Sequence, residues 1–142
     1  MEKLGLQDKI VCNLVDKMFS VISVKEHWYE YNTLVKWLKS DVLKRLQDRD
    51  ETLVCQSKIY LYNDFKAECK DLISHAEYQM HGKALSWVGY LFMYWIYLKN
   101  TSGEDILNNY DIKEILTQYD VLHTMSVKVA INYIESNLFI GE

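Results

Sequence analysis

Residues 84–98 read Ala-Leu-Ser-Trp-Val-Gly-Tyr-Leu-Phe-Met-Tyr-Trp-Ile-Tyr-Leu, a run without a formal charge. It is shorter than the roughly 20 apolar residues a helix needs to cross a bilayer. Its Trp and Tyr side chains carry N–H and O–H groups that need partners when buried. A segment apolar on all sides but too short to span a membrane fits a central helix enclosed by other helices. Proline is absent and glycine occurs only five times in 142 residues, so helix breakers are scarce. The expectation is one all-α domain over 1–142, with six to eight helices around a helix at 83–99. A chain of this length buries enough apolar surface to fold without a disulfide or a metal.

The 16 basic and 20 acidic residues leave a formal charge of -4. A nucleic-acid binder ordinarily shows a basic face and a high pI, so the balance argues against that class and suits a basic protein partner. Cys12, Cys55 and Cys69 form an odd set without CxxC spacing, which reads as free thiols in a reducing compartment. The N-terminus, Met-Glu-Lys-Leu-Gly-Leu-Gln-Asp-Lys, lacks the basic-then-apolar pattern of a secretion signal. Cytoplasmic location is the expectation, with no membrane association.

Along the chain, Leu6, Ile10, Leu14, Met18 and Ile22 repeat at i+4 and predict a helix over 6–22. Ser23 and Glu26 have capping-box spacing and predict the start of a second helix, with Trp28, Tyr31, Leu34, Val35 and Leu38 inside. Ser40 and Asp41 can cap a short third helix bearing Val42, Leu43 and Leu46. The charged run 47–52 reads as an exposed connection. Leu53, Val54 and Cys55 are either a short extended piece or a plug into the core. Ser57 can cap a long fourth helix, with Ile59, Tyr62, Phe65, Cys69, Leu72, Ile73, Ala76 and Met80 as its stripe and Gly82 as its left-handed stop. After the aromatic helix, 100–103 is a turn cluster. Ser102 with Asp105, Asp111 with Glu114, and Ser126 can cap three further helices.

Catalytic and metal motifs are weak. His27, His75, His81 and His123 lack ligand spacing, so no metal and no cofactor is expected. Cys69 and His75 can meet only if the helix between them breaks. Asp120 and His123 are close enough to form an acid–base pair, which keeps a small enzyme as one alternative. A helix-turn-helix between Ser102 and Leu122, offering Lys113, Thr117 and Gln118, keeps a weak DNA binder as another. A third, an acidic imitator of nucleic acid, requires the charges to segregate. Tyr90, Tyr94 and Tyr97 share one face of the aromatic helix with Trp87 nearby, and Trp28, Tyr29 and Tyr31 form a second cluster. Such aromatics are either core or binding hot spots.

Two stretches carry a resemblance. One contains Ser40-Asp-Val-Leu-Lys-Arg-Leu-Gln-Asp-Arg-Asp-Glu-Thr52 and Tyr60-Leu-Tyr-Asn-Asp-Phe65. The other contains Ser102-Gly-Glu-Asp-Ile-Leu107, Tyr119-Asp-Val-Leu-His-Thr124 and Ala130-Ile-Asn-Tyr-Ile-Glu135. Over about half of the chain, the sequence resembles small bacterial all-helical proteins of the domain-of-unknown-function type. Some of these are encoded beside toxin-like enzymes, including ADP-ribosyltransferase-like ones. The resemblance implies an antitoxin-like or accessory role, and no catalytic residue is carried over from it. Together with the missing catalytic motifs, it predicts a non-enzymatic interaction module, bacterial or phage-encoded, whose partner is a toxin-like enzyme or host factor. A homo-oligomer remains open. The candidate interface is Trp28, Tyr29, Tyr31, Tyr90, Tyr94 and Tyr97, with Asp48, Asp50 and Glu51 steering a basic partner.

Overall fold

The aromatic segment forms helix α6, Gly82–Lys99, and buries most of its circumference, including Leu85, Val88, Leu91, Phe92, Trp95 and Ile96, leaving Trp87, Tyr90, Tyr94 and Leu98 half-buried along one face. The computed structural model describes residues 4–54 and 56–141. Cys55, one of the expected free thiols, and Met1–Lys3 lie outside the described residues. Among the described residues nine further helices occur: α1 (Leu6–Lys25), α2 (Glu30–Lys39), α3 (Asp41–Gln47), α4 (Glu51–Val54), α5 (Lys58–Glu68), α7 (Gly103–Asn109), α8 (Ile112–Thr117), α9 (Tyr119–Leu122) and α10 (Val127–Asn137). The protein is all-helical as expected, with ten segments among the described residues against the six to eight foreseen. The surplus includes single turns such as α4 and α9. No described helix is long and apolar enough to cross a membrane.

Every helix contributes to one hydrophobic cluster, from Val11 of α1 to Ile134 of α10. The most extensive pairing is α1 on α6. Gly89 makes it close: a Cβ there would lie 2.2 Å from Phe19 Cδ2. Phe19, Trp37 and Phe65 bring three rings from α1, α2 and α5 edge to face, with centroids 5.1–6.3 Å apart. Helix α6 ends at Asn100, a left-handed residue with φ 52°. The chain end is held beside α7, where Ile140 N–H donates to the Asn109 carbonyl at 2.8 Å.

Five foreseen caps are present. Ser40, Ser57, Ser102, Asp111 and Ser126 each accept a backbone N–H three residues on, satisfying donors the first turn leaves open. Ser23 is not a cap. Helix α1 runs through it to Lys25, its hydroxyl donates to the Ser20 carbonyl, and α2 begins only at Glu30. No residue between 22 and 25 breaks a helix, so α1 propagates.

The long fourth helix is also corrected. Helix α5 stops at Glu68, whose carboxylate accepts the Asp41 and Val42 N–H groups at 2.8 and 3.1 Å at the start of α3. A negative charge is favourable at that helix end. Residues 69–81 then run without a helix. Leu72 is half-buried and Ile73 is 72% exposed, contrary to the expected stripe. Gly82 does not end a helix in the left-handed region. It is the first residue of α6, which His81 caps through Nδ1. The charged run ends in α4, and Leu53 is fully buried, which settles it as a plug.

Candidate binding surface

The segment between α1 and α2 splits its aromatic residues. Trp28 turns into the core at 5% exposure, while Tyr29 and Tyr31 remain 42% and 39% exposed. Residues 69–81 fold back against them. His75 N–H donates to the His27 carbonyl at 2.9 Å, and Tyr78 N–H donates to the His75 carbonyl at 2.7 Å. His27 Nδ1 lies 2.9 Å from the Tyr78 carbonyl; a carbonyl only accepts, so Nδ1 carries the proton. Glu30 accepts from the Tyr78 hydroxyl and, at 2.5 Å, from the His81 N–H. Burial, followed by the Glu30 hydrogen bond, pushes the Tyr78 phenol up to about 12, so it stays a donor at neutral pH.

These bonds hold Tyr29 in place. Its ring stacks on His75 with centroids 4.1 Å apart and meets Tyr78 edge to face at 4.8 Å. Tyr31 lies under Lys113 of α8, with Nζ 5.3 Å from the ring centre. Tyr29 and Tyr31 form a ridge between two cavities. One, of about 500 Å3, is lined on its far side by Lys36, Lys39, Asp71, Ile73 and His75. The other, of about 370 Å3, is lined by Glu30, Tyr78, His81, Leu116 and Thr117. Lys36 and Asp71 pair at 2.9 Å across the first. Beyond the second, His81 and Trp87 meet Tyr119 edge to face at 5.4 and 5.8 Å.

The other candidates sit elsewhere. Tyr97 is enclosed, with its hydroxyl donating to the Leu46 carbonyl at 2.7 Å and the Arg49 guanidinium 4.6 Å over its ring. Trp28 and Tyr97 therefore present no contact surface. Tyr90 and Tyr94 are half-buried neighbours 6.1 Å apart. Burial raises the Tyr90 phenol above its usual value, with Cys12 and Asp16 of α1 nearby.

Asp48 and Glu51 are exposed, but Asp50 is engaged by Thr52 and Arg45. Those contacts, Thr52 first, hold the Asp50 carboxyl below its usual range. Arg49 binds Asp8 through both carboxylate oxygens at 3.2 and 3.1 Å. The acidic run is thus partly neutralised. It lies beside Tyr97, near the C-terminal end of α6, whereas Tyr29 lies near its N-terminal end. An 18-residue helix is about 27 Å long, so the two features do not form one patch.

Asp120 and His123 are both exposed. His123 Nδ1 donates to the Tyr119 carbonyl at 2.9 Å and its ring stacks on Tyr119 at 4.5 Å. Neither residue lines the neighbouring cavity. The helix between Cys69 and His75 does break, yet the pair gains no chemistry. Burial pushes the Cys69 thiol up to about 12, and His75 is committed to Tyr29; a protonated thiol is a poor nucleophile. In the helix-turn-helix candidate, Lys113 covers Tyr31 and Gln118 donates to Glu114 at 2.9 Å. Among the described residues no group of three His, Cys, Asp or Glu could hold a metal.

Sequence reading missed Glu30, His27, His75 and Tyr78 as the frame of the ridge. The available signal was the polar, aromatic stretch Ser74-His75-Ala76-Glu77-Tyr78, which a helical stripe absorbed too readily. No protein-family model matches this chain, and neither the curated proteins nor the solved structures contain a match.

Proposed function

We propose that this chain is a non-enzymatic protein-interaction module that binds a partner protein through the Tyr29–Tyr31 ridge. The observation that carries the reading is pre-organisation. Glu30 and His27 fix residues 75–81 so that Tyr29 stands stacked, half exposed and flanked by two cavities. A rigid aromatic side chain loses little entropy on binding and is a frequent hot spot. The resemblance to bacterial helical proteins encoded beside toxin-like enzymes makes such an enzyme the proposed partner and neutralisation the proposed effect. Free buried thiols at Cys12 and Cys69 are in keeping with action in the cytoplasm.

Co-purification from the native cell, read by mass spectrometry, tests this. A partner retained by the wild type and by Tyr90→Ala/Tyr94→Ala, but lost with Tyr29→Ala/Tyr31→Ala, is the expected result. Identical partner sets for all three proteins would refute it.

A further inference from the structure

Helix α1 carries a second surface whose chemistry opposes the chain's overall charge. The i+4 ridge that begins at Leu6 divides: Leu6 is 77% exposed and Ile10 48%, Met18 and Ile22 are fully buried, and Val24, on the same outer side as Leu6, is 81% exposed. The buried stripe is instead Val11, Cys12, Val15, Met18, Phe19 and Ile22. Beside the outward ridge, toward α4 and α5, lie two cavities that share Lys17. One, of about 560 Å3, is lined by Ile10, Leu14 and Val54; the other, of about 360 Å3, has Val21, Val24 and Ile59 as its apolar lining. Neither is lined by a carboxylate, in a chain of formal charge -4.

Lys17, Lys25 and Lys58 surround the second cavity. None of the three has an ion-pair partner among the described residues. Asp16 neighbours Lys17 and Tyr90 but lines neither cavity. Asp8 and Glu51 line the adjoining cavity beyond Gln7 and Val54. The groove is therefore basic toward Lys25, whereas past Gln7 Asp8 is paired with Arg49, which leaves Glu51 as the acidic group there.

We propose that this groove receives an amphipathic helix from a partner protein, apolar toward Val21, Val24 and Ile59 and acidic along the flank that meets the three lysines. The stretch Gln7–Lys25 rises about 27 Å, or five helical turns, enough for apolar anchors at i, i+3, i+4 and i+7. Three ammonium groups that make no ion pair among the described residues, Lys25 resting over the Tyr62 ring at 5.8 Å, surround an apolar floor and complement carboxylates on such a helix. An anionic bilayer fits less well, because the surface is concave and the chain as a whole acidic. This groove shares no lining residue with the Tyr29–Tyr31 cavities.

The test is a titration of the full-length protein into a fluorescent 18-residue helix with Leu anchors and Glu flanks. A matched peptide with Lys in place of Glu and phosphatidylcholine–phosphatidylserine vesicles are run beside it. The expected result is saturable binding of the Glu peptide that weakens with salt, with no binding of the Lys peptide. Val24→Asp or Lys17→Glu/Lys25→Glu should weaken it at least tenfold without changing thermal melting, and Tyr29→Ala/Tyr31→Ala should leave it unchanged. Absent or equal binding of the two peptides, indifference to the groove substitutions, or binding to vesicles alone would overturn the proposal.

Discussion

Gly89 and Tyr78 show how single residues set limits on this protein. A methyl group at Gly89 meets the Phe19 ring at an impossible distance, so Gly89→Ala must push apart the most extensive helix pair. Overpacking of this kind costs about 1–3 kcal/mol, and the urea midpoint should fall accordingly. An unchanged midpoint would mean that Phe19 turns aside freely. Tyr78, Cys12 and Cys69 are each raised to about 12, from ordinary values of 10 for the phenol and 9 for the thiols. Each binds its proton more tightly when folded, so the unfolded chain releases it first as pH rises. Their contribution is complete below about pH 9 and is lost between pH 9 and 12. Urea midpoints measured across that window should decline, with Tyr78→Phe flattening the upper part, between pH 10 and 12. A constant midpoint in the wild type would contradict this.

The segment 69–81 is the element on which the proposed interface depends. Its anchors are few: Glu30 on Tyr78 and His81, His27 on His75 and Tyr78, and Lys36 on Asp71. Hydrogen bonds to a charged group contribute roughly 1.5–3 kcal/mol, and this site is half-exposed, so Glu30→Ala should cost about 1–3 kcal/mol. Hydrogen exchange should quicken at His75, Tyr78 and His81 while α6 keeps its protection. Unchanged exchange there would show that stacking alone holds the segment. This element was also the hardest to read in advance. The caps at Ser40, Ser57, Ser102, Asp111 and Ser126 were readable because the accepting side chain and the N–H that donates to it lie within one turn. The end of α5 was not, because it is set by Glu68 reaching the start of α3, 26 and 27 residues away in sequence. Likewise, aromatic type alone could not separate Trp28 and Tyr97, which pack inward, from Tyr29 and Tyr31, which do not. That choice is made by partners distant in sequence: the Leu46 carbonyl and Arg49 enclose Tyr97, whereas Tyr29 stands against His75 and Tyr78.

At the scale of the whole molecule, the uncharged run 84–98 forms the helix on which α1, α2, α8 and α10 pack, while α5 packs on α1 and α7 on α2. The surfaces left over differ in chemistry: an aromatic ridge with mixed charge at the N-terminal end of α6, and a lysine-edged apolar groove along α1. The acidic run at Asp48, Asp50 and Glu51 stands apart from the ridge, so it can steer a partner only from a distance and in a salt-dependent manner. The proposed function places the docking of a partner protein on the Tyr29–Tyr31 ridge. Its most direct test is the dissociation constant of the purified partner for wild type and for Tyr29→Ala. Loss of a hot-spot tyrosine costs about 2 kcal/mol, so weakening of roughly 30-fold is expected with the fold intact by circular dichroism. An affinity within twofold of wild type would contradict it.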